Sequence, residues 1–149
     1  MYNKPLNILL ADDDPDDCLL FREAVSETGI AANIEIVKDG SALMRCLENS
    51  GEPLPDIVYL DVNMPIKNGL TCMQEIRDNE RLKSLAVVIF TTSFQPEIVH
   101  SLKEYGARLY IKKPTTFSQL RSVIEKSINI ISNGTVTEQN RENFVLNGI

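Results

Sequence analysis

Short apolar runs alternate with amphipathic stretches five times along this chain. The runs LNILLA (6–11), NIEIV (33–37), DIVYLD (56–61), LAVVIFT (85–91) and ARLYI (107–111) have the length and composition of strands. Those at 6–11, 56–60 and 85–90 are almost continuously apolar, as strands covered on both faces are. NIEIV alternates polar and apolar positions, as an edge strand does. Between the runs, one helical face is carried in turn by Leu20, Phe21, Ala24, Val25 and Thr28, by Leu43, Met44 and Leu47, by Leu70, Met73 and Ile76, and by Ile98, Leu102 and Tyr105. Asp14 is the candidate cap of the first helix, with Pro15, Asp16 and Asp17 suited to its first turn. Gly29 and Gly106 are expected stops for the first and fourth helices. The last helix is the clearest: Thr116 and Gln119 have capping-box spacing, and Phe117, Leu120, Ile124, Ile128 and Ile131 continue its stripe.

Strand followed by helix, repeated in this way, predicts a doubly wound α/β domain with a parallel sheet and right-handed crossovers. It is expected over residues 1–132. The remainder, 133–149, is polar until Phe144, Val145 and Leu146, and is read as a tail that is partly disordered or docks as a short helix or dimer contact. The sequon at Asn133 has no meaning in a cytosolic chain.

Composition narrows the function. At 149 residues, 43% hydrophobic and 24% charged, the chain is an ordinary globular protein that needs no disulfide or structural metal to stand. No stretch reaches the ~18 apolar residues of a membrane span, and the N-terminal apolar run is too short for a signal peptide, so a cytoplasmic location is expected. Cys18, Cys46 and Cys72 are odd in number and far apart, which suits neither a disulfide framework nor a metal site. The single His100, in QPEIVHSLKEYG, has no carboxylate or cysteine directly beside it and is read as a surface helix residue, which excludes histidine-based catalysis. A net charge of −6 with no basic stripe argues against direct nucleic-acid binding.

The candidate chemistry lies where the strands end, because ligands of open α/β sheets bind at the carboxyl edge, where the strand order reverses. The first strand ends in Asp12 and Asp13, the third in Asp61. A sheet order of 2-1-3-4-5 would gather these carboxylates in one crevice. Two unit charges about 4 Å apart repel by roughly 4 kcal/mol at an effective dielectric of ~20, so a cation is expected. The donors are all oxygen, which suits Mg²⁺ better than zinc. The fourth strand ends in Thr91 and Thr92, and Lys112, Lys113 and Pro114 follow the fifth. A hydroxyl, an ammonium and a divalent ion around a carboxylate are the parts that stabilise a phosphoryl group in transfer, with Asp61 as nucleophile forming an acyl phosphate.

Each residue also has a plain structural reading. The acids of DDDPDD serve a helix start, Asp61 a turn, Thr91 a strand and Lys113 a solvated rim. Those readings do not explain why all of them fall at carboxyl ends of core strands.

Taken together, DD after the first strand, LDVNMP after the third, FTTS after the fourth and IKKP after the fifth resemble the receiver domains of two-component response regulators, over about residues 5–131. Within that family the likeness is to single-domain regulators, some of which serve phytochrome-like histidine kinases, although Asp14 stands where asparagine is usual. The resemblance implies the flavodoxin-like five-stranded order 2-1-3-4-5 and an Asp61 phosphoacceptor. It also implies a Mg²⁺ site formed by Asp13, Asp61 and the Asn63 backbone carbonyl, with Asp12 acting through a water. Thr91 and Lys113 would contact phosphoryl oxygens, Thr91 and Tyr110 would form the switch, and the Lys113–Pro114 peptide would be cis. The implied donor is a histidine kinase or phosphotransfer protein. Output would be protein–protein contact with an unnamed downstream partner, since no output domain is expected after residue 132, and a homodimer is left open. The only expected catalysis is Mg²⁺-dependent self-phosphorylation and self-dephosphorylation.

Two rivals stand beside this reading. A phosphohydrolase of the haloacid dehalogenase type wants a second aspartate where this chain has Asn63. A scaffold of receiver shape that is never phosphorylated would not need every pocket residue. A nucleotide- or flavin-binding module is weaker still, because no GxxxxGK or GxGxxG loop is present.

Overall fold

The structure is a computed structural model that describes residues 4–49, 51, 53–133 and 144–146. Five strand–helix units follow in order: β1 (Leu6–Ala11) and α1 (Pro15–Glu27), β2 (Ala32–Val37) and α2 (Gly40–Glu48), β3 (Ile57–Leu60) and α3 (Gly69–Asp78), β4 (Val87–Thr91) and α4 (Pro96–Glu104), β5 (Leu109–Lys112) and α5 (Phe117–Ser132). A two-residue strand β6 (Val145–Leu146) closes the series. All pairings are parallel and the order is β2-β1-β3-β4-β5-β6. The expected 2-1-3-4-5 sheet is therefore present with one strand added beyond β5.

Alternation along the central strands splits the core in two. Leu9, Ala11, Val58, Leu60, Val87, Ile89 and Tyr110 point to the side of α2, α3 and α4, where Leu43, Leu47, Met73, Ile76 and Leu102 meet them. Ile8, Leu10, Ile57, Tyr59, Val88, Phe90 and Ile111 point to the side of α1 and α5, against Phe21, Val25, Leu120, Val123 and Ile124. Both faces of β3 and β4 are buried, which explains their unbroken apolar runs. β2 lies at the edge and alternates in burial, as NIEIV suggested.

Local signals place the helix ends. The Asp14 carboxylate accepts from the Asp16 and Asp17 amides, and Thr116 Oγ1 accepts from the Gln119 amide, so both expected caps form. Gly29 and Gly106 follow their helices with φ of 77° and 92°, the left-handed geometry that ends a helix most cheaply in glycine. Among the described residues, no helix is long and apolar enough to cross a membrane.

Two expectations need correction. The Lys113–Pro114 peptide is trans, not cis. The Lys113 amide donates to the Thr91 carbonyl at 2.8 Å, and its Nζ reaches the acidic pocket from the trans form. Trans is also the form an X–Pro bond favours by about 0.5–1 kcal/mol. The tail does dock at Phe144 to Leu146, but as a strand rather than a helix, and Phe144 is buried. The expectation of disorder elsewhere in the tail lies outside the described residues.

Candidate functional site

Three strand ends and one helix start converge at the carboxyl edge of the sheet. Asp12 follows β1 and is fully buried, whereas Asp13 beside it is exposed. Asp61 follows β3 and is 6% exposed. Carboxylate oxygens of Asp12, Asp13 and Asp61 all lie within 4.8 Å of one another. Lys113, just past β5, brings Nζ to 2.7 Å from Asp12 Oδ2, 2.7 Å from Asp17 Oδ2 and 3.1 Å from Asp61 Oδ2. Those residues are separated by up to 101 positions in sequence, so only the fold assembles them.

Backbone geometry positions each acid. The Asp61 amide donates to the Ala11 carbonyl, which ties the ends of β1 and β3 together. The chain then turns tightly: the Asn63 amide donates to Asp61 Oδ1 at 3.1 Å, and the Gly69 amide donates to the Val62 carbonyl at 3.0 Å. A Cβ at Gly69 would stand 2.5 Å from the Asp61 carbonyl oxygen and 2.8 Å from the Val62 Cα, so only glycine lets α3 begin this close to the site. Asn68 caps α3 by accepting from the Thr71 amide. Within the turn, Ile66 is exposed with φ of 70°, a left-handed conformation that a β-branched residue adopts only under strain.

The electrostatics are unbalanced. Burial pushes the Asp12 carboxyl above its ordinary value, while Lys113 and the Asp14 amide pull it back and the charge of Asp61 pushes the same way as burial. Burial works against the Lys113 ammonium too, but its hydrogen bonds to Asp12 and Asp17, with the charge of Asp61, hold its pKa above the usual lysine value. One ammonium thus faces four acids, counting exposed Asp13. The donor set is carboxylate oxygen with neither histidine nor cysteine ligands, which fits a hard divalent ion.

Thr91 is the last residue of β4, fully buried, and its Oγ1 accepts from the Ser93 amide at 3.4 Å. Tyr110 on β5 is fully buried, and its hydroxyl donates to the Ser93 carbonyl. The Asn63 side chain donates to Ser93 Oγ. Ser93 is therefore a junction between Asn63, Thr91 and Tyr110. All the expected site residues, Asp12, Asp13, Asp61, Asn63, Thr91, Tyr110 and Lys113, lie at this edge or one contact from it.

Two participants escaped the sequence reading. Asp17, which the sequence places in the first turn of α1, also binds Lys113; the signal for it is four-residue spacing from Asp13 where the helix starts at the crevice. Ser93 carries no such signal, because nothing in FTTS distinguishes the serine from an ordinary loop residue.

This fold and this edge cluster define the receiver class of α/β proteins, and comparison with known proteins agrees. Residues 8–125 match the response regulator receiver domain, and the chain belongs to that family. The chain is 32% identical to the response regulator Rcp1 of Synechocystis sp. over 127 residues, 83% of this chain and 86% of that one. It is 30% identical to the probable methanogenesis regulatory protein FilR2 of Methanothrix harundinacea, over 82% of this chain and 81% of the other. Among solved structures, the phosphorylated cyanobacterial phytochrome response regulator RcpA superposes with a TM-score of 0.81 at 26% identity, covering 89% of this chain and 98% of that one. The Mn²⁺-bound form of Rcp1 superposes with a TM-score of 0.76 at 31% identity and the same coverage. The protein is accordingly a response regulator with a phosphoacceptor role in two-component signalling, and the phosphohydrolase reading is not favoured. Asn63 stands where that reading requires an aspartate, and its amide is turned to Ser93.

Proposed function

We propose that Asp61 is the phosphoacceptor and that a histidine kinase or phosphotransfer protein supplies the phosphoryl group. An Asp61 carboxylate oxygen attacks phosphorus; the bond to the donor imidazole nitrogen breaks as the P–O bond of the acyl phosphate forms, and the imidazole leaves with the electron pair. Asp13, Asp61 and the Asn63 backbone carbonyl would hold Mg²⁺, with Asp12 acting through a water. A divalent ion held there would supply charge neutralisation for the phosphoryl oxygens. Lys113 balances part of the remaining charge, and the Thr91 hydroxyl, which already accepts from the Ser93 amide, keeps its own proton free to donate to a phosphoryl oxygen. The Mn²⁺-bound Rcp1 structure supports a divalent ion, and the phosphorylated RcpA structure supports the acceptor role.

The observation that carries this reading is the Lys113 ammonium seated against both Asp12 and Asp61. Thr91 and Tyr110 form the switch, and output passes through contacts of the face built by α4, β5 and α5 with a downstream protein in the cytoplasm or with a second copy of the chain. Self-phosphorylation from small acyl phosphates and self-dephosphorylation are the catalysis expected of the domain, over residues 1–132. The test is intact mass after incubation with Mg²⁺ and acetyl phosphate. One phosphoryl group should appear on the wild type and none on Asp61→Asn. Equal labelling of the two would overturn the assignment, and steady turnover of a phosphomonoester would revive the hydrolase.

A further inference from the structure

The tail strand reaches the acidic pocket through an unbroken series of contacts. The Tyr110 amide donates to the Phe144 carbonyl at 2.9 Å, and β6 continues that pairing along the outer edge of β5. The Phe144 ring is 6% exposed and lies 6.3 Å from the Tyr110 ring, with Lys103 Nζ of α4 5.8 Å from its centroid. Phe94 approaches Tyr110 edge-on at 5.7 Å. Tyr110 is thus held between two aromatic rings with its hydroxyl on the Ser93 carbonyl. Ser93 in turn accepts the Asn63 side-chain amide on Oγ and donates its backbone amide to Thr91 Oγ1, and the Asn63 backbone N–H donates to Asp61 Oδ1.

We propose that Phe144 is a positioning residue for phosphoryl binding: by covering Tyr110 it holds Ser93 over the pocket, with Thr91 oriented to donate. The proposal rests on the assignment of Asp61 as phosphoacceptor. The physical reason is the phenol. A buried tyrosine hydroxyl must keep a partner, and under Phe144 the available partner is the Ser93 carbonyl. With Phe144 gone, one flank of the Tyr110 ring meets water, the phenol gains solvent as an alternative acceptor, and Ser93 loses its tether. Linkage makes the effect reciprocal: if tail docking favours the phosphoryl-ready pocket, a phosphoryl mimic favours tail docking by the same factor.

The experiment uses the full chain, Mg²⁺ and beryllofluoride, with affinity and amide hydrogen exchange as readouts. Phe144→Ala should weaken beryllofluoride binding about five- to tenfold, within the usual range of couplings between sites. Phe144→Leu, which refills the apolar site, should recover most of it. Tyr110→Phe should weaken binding similarly, and adding Phe144→Ala to it should cost little more, because the path through the phenol is already cut. In the wild type, exchange of the Tyr110 amide should slow on adding the mimic by a factor matching the affinity change. That measurement needs no variant, so a poorly folded Phe144→Ala leaves the proposal exposed to refutation.

Unchanged affinity in Phe144→Ala, a full additional loss in the double variant, or a Tyr110 amide indifferent to bound mimic would each overturn the proposal while the phosphoacceptor reading stands. If the wild type does not bind the mimic, or Asp61→Asn binds it equally, that reading falls and this one with it.

Discussion

Two groups of buried polar side chains occupy this small core, and they are built on opposite rules. On the α1 and α5 side, fully buried Tyr59 meets Ser127 at 2.6 Å, and Ser127 Oγ donates to the Ile124 carbonyl at 2.7 Å, which leaves the tyrosine as donor to the serine. The group is neutral and complete, and Phe21 and Phe90 pack edge-on against the Tyr59 ring. At the carboxyl edge, one ammonium faces Asp12, Asp17 and Asp61, with Asp13 beside them. The first group asks for nothing from outside. The second has more negative charge than its own lysine neutralises, which is how a site keeps affinity for a cation.

The strongest way to test that contrast is to remove the one internal cation. Lys113→Met should cost about 4 kcal/mol of unfolding free energy at pH 8, since breaking a buried pair leaves an uncompensated charge. Burial already raises the Asp12 carboxyl, and loss of Lys113 raises it further. Lowering the pH should therefore shrink the penalty as Asp12 takes up a proton. Denaturant unfolding at several pH values measures this, and a penalty that is small or independent of pH would mean the acids are not coupled through Lys113.

The second test supplies the missing charge. Mg²⁺ at a hundred times its dissociation constant should add about 2.7 kcal/mol to unfolding free energy, by mass action on the folded state alone. Asp13→Asn should remove most of that increment, whereas Tyr59→Phe should retain it in full. Thermal unfolding with and without the ion separates the two, and an increment that survives Asp13→Asn would move the ion elsewhere.

The same contrast explains what was legible in the sequence. Apolar runs of strand length show where the chain is buried, and the residues that end them show where it meets solvent at one edge, so Asp12, Asp13, Asp61, Thr91 and Lys113 could be gathered before any coordinate was known. Asp17 and Ser93 could not, because each has a complete local explanation as a first-turn acid or loop residue, and their partners are set by tertiary contact. β6 was hidden for another reason. Its two residues have no period to detect, and their strand form comes from the free edge of β5 rather than from their own propensity.

A third buried group lies between the extremes. Cys72, fully buried against the Gly40 carbonyl, has its thiol pushed up to about 11 by burial first and by Glu75 and Asp39 next, with Lys67 opposing. In the unfolded chain the thiol ionises near its ordinary value of 9.0. Its contribution is therefore whole below pH 9 and is lost as pH climbs through the folded value, with about 2 kcal/mol of the loss falling between pH 9 and 11 for a shift of this size. Wild type should lose about that much more than Cys72→Ala between pH 9 and 11. Equal losses would show that the thiol ionises freely in the folded state.

The smallest effect belongs to the neutral group, and its smallness is the point. Tyr59→Phe removes one hydroxyl but leaves Ser127 its bond to Ile124 and leaves the ring against Phe21 at 4.9 Å. No charge is stranded, and the lone donor lost is the phenol itself. The cost should be about 1 kcal/mol, the usual net worth of a hydrogen bond whose remaining partner stays satisfied. Beryllofluoride affinity should not move, because this group lies on the face of the sheet away from Tyr110, whose hydroxyl holds Ser93. A loss of affinity in Tyr59→Phe would show that the two groups communicate through β3, which carries Tyr59 and ends at Asp61. The division between a self-sufficient core and a pocket dependent on outside charge would then have to be given up.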